Sequence, residues 1–233
     1  MKVWVFVEGE SDQIALHALW ASWQTRLGKK GWGIQIHPLD NKSRYFRKIG
    51  HRAAEKIVHD EHDLVVGLPD LYPNAGYSHT DFKHVDLSEL KSVQTRLVQG
   101  ALQTVFNLSP KNAEATLVRF FPSALKHDLE ALLLAAVDEL RQVLGTTEKL
   151  ENKWRHPVEN QNQHKPPKYV VEELFRTRTG RCYRDTRHAG IVLGKVADIK
   201  KLLFNSSGQL ECPVFKETMD WIGEKTGVAA YRS

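Results

Sequence analysis

The chain has 233 residues, with 33 Lys plus Arg against 28 Asp plus Glu, a net charge of +5, and 41% hydrophobic and 26% charged residues. With a mean hydropathy of −0.43, this balance excludes a disordered tail and a membrane-embedded protein. Two cysteines, Cys182 and Cys212, are too few for a disulfide framework or a zinc cluster.

Lys2–Val7 (KVWVFV) is a β-branched and aromatic run and reads as a strand. It meets Glu8 at once, so the N-terminus does not read as a signal peptide. Ser11–Leu27 repeats apolar residues at near-helical spacing, with Ser11 or Asp12 as its cap. A second strand is expected over Trp32–Leu39 and a basic helix over Ser43–Asp60. Asp63–Leu68 (DLVVGL) has the continuous apolar character of a buried parallel strand. A loop rich in Pro, Gly, Asn and His runs from Pro69 to about Asp86, followed by a helix over Leu87–Phe106 and a fourth strand over Ala115–Phe121.

Leu125–Leu144 reads as one strongly apolar helix. Residues 148–167 are polar and read as a mobile loop, while Lys168–Arg176, Ala189–Leu203 and Val214–Lys225 read as helices. Strands alternating with helices predict an α/β fold, a mostly parallel sheet flanked by helices over residues 1–122. A helical extension packed on that core is expected over residues 123–233. No apolar run nears the ~20 residues of a membrane helix, so the expectation is a cytoplasmic protein with reduced thiols and no membrane partner.

Open parallel sheets gather ligands at the carboxyl ends of their strands. Glu8 stands at the end of the first strand, Asp12 lies just inside the next helix, and Asp70 follows the third strand. Carboxylates converging there repel one another and suit a hard divalent cation such as Mg²⁺. The plainer alternatives are a helix cap for Asp12, a surface carboxylate for Glu8 and a self-capped turn for Asp70.

His127 and Glu130 are three residues apart and would share a helix face. An acid in so apolar a stretch is either functional, as a further metal ligand beside a His ligand or proton carrier, or braced by a partner such as Arg119 or Lys165. Lys165 and Lys168 flank a proline pair at a helix start, where a lysine can steady phosphate charge. Two basic runs, one with Arg44, Arg47 and Lys48 and one with Arg176, Arg178, Arg181 and Arg184, suit a nucleic-acid partner or are solvated faces. Trp154, beside Arg155, is a candidate for stacking on a base. His79 and His84, with Asp81 between them, have a spacing zinc could use, but no convincing further ligand lies nearby. No Walker lysine loop and no G-x-G-x-x-G occur, so ATP hydrolysis by the chain alone is not expected.

Four motifs in order carry a resemblance: Glu8-Gly9, Asp70-Leu71-Tyr72, His127-Asp128-Leu129-Glu130-Ala131-Leu132-Leu133, and Cys212-Pro213-Val214-Phe215. The pattern resembles the Toprim fold of topoisomerases, DnaG-type primases and OLD-family nucleases, and more closely a bacterial family of Toprim-like proteins of unknown function. The resemblance implies Mg²⁺- or Mn²⁺-dependent phosphodiester cleavage of DNA or RNA. Glu8, Asp70, Glu130, His127 and Lys168 would carry the chemistry, and Glu8, Asp12, Asp70 and Glu130 would hold metal.

Such proteins also resemble effector halves of two-component anti-phage systems, which implies an ATPase partner and is compatible with an oligomer. One departure matters. Toprim nucleases carry D-x-D after the third strand, whereas this chain has Tyr72 at the second position. Glu130 is the candidate substitute. The alternative is a degenerate Toprim module that binds nucleic acid or an ATPase without cutting. A hydrolase of small phosphoesters is a third reading.

Overall fold

The structure, a computed structural model, describes residues 1–161 and 163–231. Four strands, β1 (Lys2–Val7), β2 (Gly33–Pro38), β3 (Leu64–Leu68) and β4 (Phe120–Pro122), form one sheet in the order β2-β1-β3-β4. Every pairing is parallel, with Val7 opposite Pro38 on one side and Leu68 on the other. This is a parallel α/β sheet flanked by helices, with further helices after β4.

The period-two alternation of β1 and β3 decides what covers each face. Val3, Val5 and Val7, with Leu64, Val66 and Leu68, share an apolar cluster with α1 (Glu10–Gly28) and the later helices. Phe6 and Val65 face the other way, against α2 (Lys42–His59), α3 (Leu87–Thr104) and α4 (Pro110–Leu117). Gly67 of β3 admits no side chain. A Cβ there would stand 2.6 Å from the Tyr45 hydroxyl and collide with Gln94 Oε1. Those two groups are bonded to each other at 2.7 Å, and Gln94 Nε2 donates to Ser123 O at 2.8 Å.

After β4 come α5 (Glu130–Ala135), α6 (Val137–Leu144), α7 (Pro167–Thr179), α8 (Asp185–Leu193), α9 (Ile199–Leu203) and α10 (Pro213–Thr226). Trp20 and Trp23 of α1 are fully buried, and Trp20 stacks on Phe215 of α10 at 5.9 Å.

Several local expectations are corrected. Residues 115–117 belong to α4, not to a strand, because Ser109 accepts the Asn112 N–H and Pro110 opens a helix there. The fourth strand shrinks to Phe120–Pro122. Leu125–Leu144 is not one helix. Leu125 forms a parallel bridge to Asp70, with its N–H on Pro69 O at 2.9 Å and its carbonyl taking the Leu71 N–H at 2.7 Å, and helix begins only at Glu130. Ala189–Leu203 is two helices, the second capped by Asp198.

Apart from Asn162, which lies outside the described residues, the polar stretch 148–167 is packed, not loose. It buries Leu150, Trp154 and Val158, and the buried Glu159 accepts the Val214 and Phe215 N–H groups at 2.9 and 3.0 Å. Trp154 therefore belongs to the core and offers no ring to a base. Asp12 is not the cap of α1. It sits at the third helical position and accepts the N–H of the cap residue, Gly9, at 2.9 Å.

Candidate functional site

The parallel register places Glu8 and Asp70 side by side, because each follows the carboxyl end of one of two neighbouring strands. The Asp70 N–H donates to Glu8 Oε1 at 3.1 Å. The Leu125 bridge then carries Asp128 and Glu130 to the same edge. Asp128 Oδ2 accepts the Lys168 N–H at 3.3 Å, and Lys168 Nζ lies 3.4 Å from Asp185 Oδ2 at the start of α8. On the opposite side Lys42 opens α2 just beyond β2. It is 8% exposed, and its ammonium donates to Leu71 O at 3.0 Å and Pro73 O at 2.8 Å.

The electrostatics follow from crowding in a dry place. Burial pushes Glu8 up from 4.5 to about 7; Asp12 adds to the rise, and Lys42 and the Asp70 N–H oppose it. Asp12 rises from 3.8 to about 6, again through burial, although the Gly9 N–H holds it back. Asp70 is raised by burial and then by the charges of Glu8, Asp12 and Asp128. Asp128 rises to about 7 through burial and the neighbouring Glu130. Glu130 is raised by burial against the pull of Lys168. Burial depresses Lys42, and Glu8 and Asp70 restore only part. For Lys168 burial works downward but Glu130 and Asp185 outweigh it, so the ammonium is held above its ordinary value.

Of the residues singled out in the sequence, Glu8, Asp12, Asp70, Glu130 and Lys168 thus meet in one electrostatically linked group. His127 does not share a helix face with Glu130, since it precedes α5; its ring leans on Tyr72 at 5.4 Å. Neither Arg119 nor Lys165 braces Glu130. Arg119 donates to Asp60 O, and Lys165 pairs with Glu173 at 2.8 Å. Arg44 and Lys48 both pair with Asp40, Arg47 with the Ser43 hydroxyl and Arg178 with Glu148. Arg176, Arg181 and Arg184 are exposed around the turn between α7 and α8. His84 is buried against Phe46 and Tyr77.

The oxygens present are chemically suited to a hard divalent cation. Asp70 Oδ1 is buried without a hydrogen-bond partner, an orphan of the kind a cation satisfies. Among the described residues, however, no three His, Cys, Asp or Glu side chains are grouped closely enough to hold a metal by themselves.

Two members of the group, Lys42 and Asp185, stand in no motif, and a third, Asp128, stands in one without a role of its own. Lys42 looked like one more cation in a basic run, but its place at the start of the helix after β2 put it on the same edge as Glu8. Asp128 falls off the face of His127 and Glu130 if 125–144 is one helix, so a helical reading hides it. Asp185 lay hidden among arginines.

The fold and the edge it builds define a parallel α/β protein with a buried, lysine-flanked carboxylate centre. The chain belongs to the family described as a domain of unknown function, DUF4276, whose model matches residues 7–206. No curated protein and no solved structure matches it. The matched span contains every carboxylate and lysine of the centre; Cys212-Pro213-Val214-Phe215 lies beyond it.

Proposed function

We propose that the chain is a degenerate Toprim-like module that binds nucleic acid, or an ATPase partner, without cleaving, and of the two the observations favour nucleic acid. The observation that carries this reading is Tyr72. Where a Toprim nuclease would place its second carboxylate, this chain presents an aromatic ring packed on His127, which exchanges a metal ligand for a surface suited to bases. The net charge of +5 and the exposed arginines of the α7–α8 turn support a polyanionic partner. The edge position of Glu8 and Asp70 on a parallel sheet supports the Toprim comparison.

A second reading, metal-dependent phosphodiester hydrolysis, is favoured by the contact between Glu8 and Asp70. In it these two carboxylates, with Asp12 and Glu130, would hold Mg²⁺ or Mn²⁺. The cation would supply an activated water and neutralise phosphate charge. Lys168 would steady the phosphate.

One experiment separates the two. Labelled DNA and RNA are mixed with the purified protein in EDTA, Mg²⁺ or Mn²⁺. Binding in EDTA that survives Glu8→Gln and Asp70→Asn, without cutting, is the expected result. Cation-dependent cutting lost in both variants would establish the hydrolase instead, and neither binding nor cutting would remove both readings.

A further inference from the structure

Between the 69–86 loop and the start of α7 lies a cleft of about 400 Å³. Tyr72 and Tyr169 line it, together with Pro73, Pro166 and His127, while Asp128 and Lys168 belong both to the cleft and to the acidic centre. We propose that this cleft takes a single unpaired nucleobase, so that the strand held here is single-stranded at that point. The inference rests on the nucleic-acid reading above and names its substrate class.

Three observations carry it. First, Tyr169 is 60% exposed. Its ring serves no core, yet it divides this cleft from a second one of about 530 Å³ that contains Arg176. An exposed ring shared by two clefts, with Lys168 beside the first and Lys165 and Arg176 among Glu172 and Glu173 in the second, is a surface on which successive bases of a single strand can stack.

Second, Tyr72 is held in advance. Lys42 bonds the carbonyls of the residues on either side of it, Leu71 and Pro73, and its ring rests on His127. A platform already fixed loses little entropy on binding.

Third, the rings and prolines of the cleft suit a flat occupant, and Lys168, which also pairs with Asp185 and stands near Asp128, is the cation placed to meet an adjoining phosphate. Its side chain is 45% exposed, at the boundary with the acidic centre. A nucleotide has both the flat base and the phosphate. A base inside a duplex shows only its edge, so it can use these rings only after leaving the stack.

The test titrates the intact protein with labelled oligothymidylate, oligouridylate and a duplex of equal length. Tyr169→Ala, at an exposed position, should leave the circular dichroism unchanged and weaken single-strand binding about ten-fold or more, the range for loss of one stacked base. Tyr169→Phe should restore it. The salt dependence should keep its slope in both variants, because no phosphate contact is removed. If Tyr169→Ala binds the single strands as tightly as the wild type, or if the wild type prefers the duplex, the cleft proposal is overturned while nucleic-acid binding stands. If the wild type binds none of the three probes, both fall together.

Discussion

The most direct consequence of the buried carboxylates is a stability that runs against the usual pH trend. Burial lifts Glu8 from 4.5 to about 7. A carboxyl raised in the folded state binds its proton more tightly there than in the unfolded chain. Its contribution is therefore fully present below the unfolded value near 4.5, and it is lost as pH climbs through about 7. At about 1.4 kcal/mol for each tenfold, the charged form of Glu8 costs the fold on the order of 3 kcal/mol above that pH.

Glu8→Gln removes the charge and keeps both the shape and the acceptor for the Asp70 N–H. The rise to about 7 is already net of the attraction of Lys42, so the gain near pH 8 should be on the order of 3 kcal/mol. Near pH 5 the folded Glu8 is neutral like the glutamine, and the gap should narrow to about 1 kcal/mol or less. Urea unfolding of wild type and variant in EDTA, from about pH 5 to about pH 8, reads this out. A variant less stable than the wild type near pH 8, or a gap that does not widen with pH, would refute the reasoning.

Gly67→Ala drives a methyl group into Gln94 Oε1 and breaks the Tyr45–Gln94–Ser123 chain; thermal melts should show a loss of about 2–4 kcal/mol. Lys42→Met leaves the Leu71 and Pro73 carbonyls without their ammonium donor. Chemical unfolding should register a loss of about 1–3 kcal/mol, and single-strand binding should fall more than duplex binding because Tyr72 loses its support. Glu159→Ala deprives two N–H groups of the first turn of α10 of their acceptor. It should cost about 2–4 kcal/mol in a denaturant melt, with Glu159→Gln recovering part of it.

The elements with strong internal periodicity were legible in the sequence. β1 falls on Lys2–Val7 as its alternation predicts, and α1, α2 and α3 start and stop within a few residues of their apolar stripes. The failures share a cause. Ala115–Phe121 is β-branched and aromatic, but the Ser109-Pro110 start claims its first residues for α4. Leu125–Leu129 is apolar enough for helix, yet the edge of β3 offers unpaired backbone groups at Pro69 and Leu71, and the segment pairs with those instead. In both places a signal outside the window overrode the local preference. No periodicity measured inside the window reports that competition.

The same distinction governs the site. From sequence Glu8 and Asp70 could be placed on the same sheet edge, and their pairing then needed only that β1 and β3 be neighbours, which they are. Asp128, Asp185 and Lys42 required the later chain to fold back on the sheet edge. Their arrival changes the chemistry, since six carboxylates (Glu8, Asp12, Asp70, Asp128, Glu130 and Asp185) now face two lysines. Burial first, and the neighbouring carboxylates after it, raise Glu8, Asp12, Asp70, Asp128 and Glu130, and the two ammonium groups offset only part of that rise. A proton and a divalent cation then compete for the same oxygens. That competition ties the two functional readings to one variable. With its protons on, the edge is close to neutral and, on the proposed reading, would accept a phosphate strand as a binding surface. With them off, it repels phosphate unless a cation takes their place.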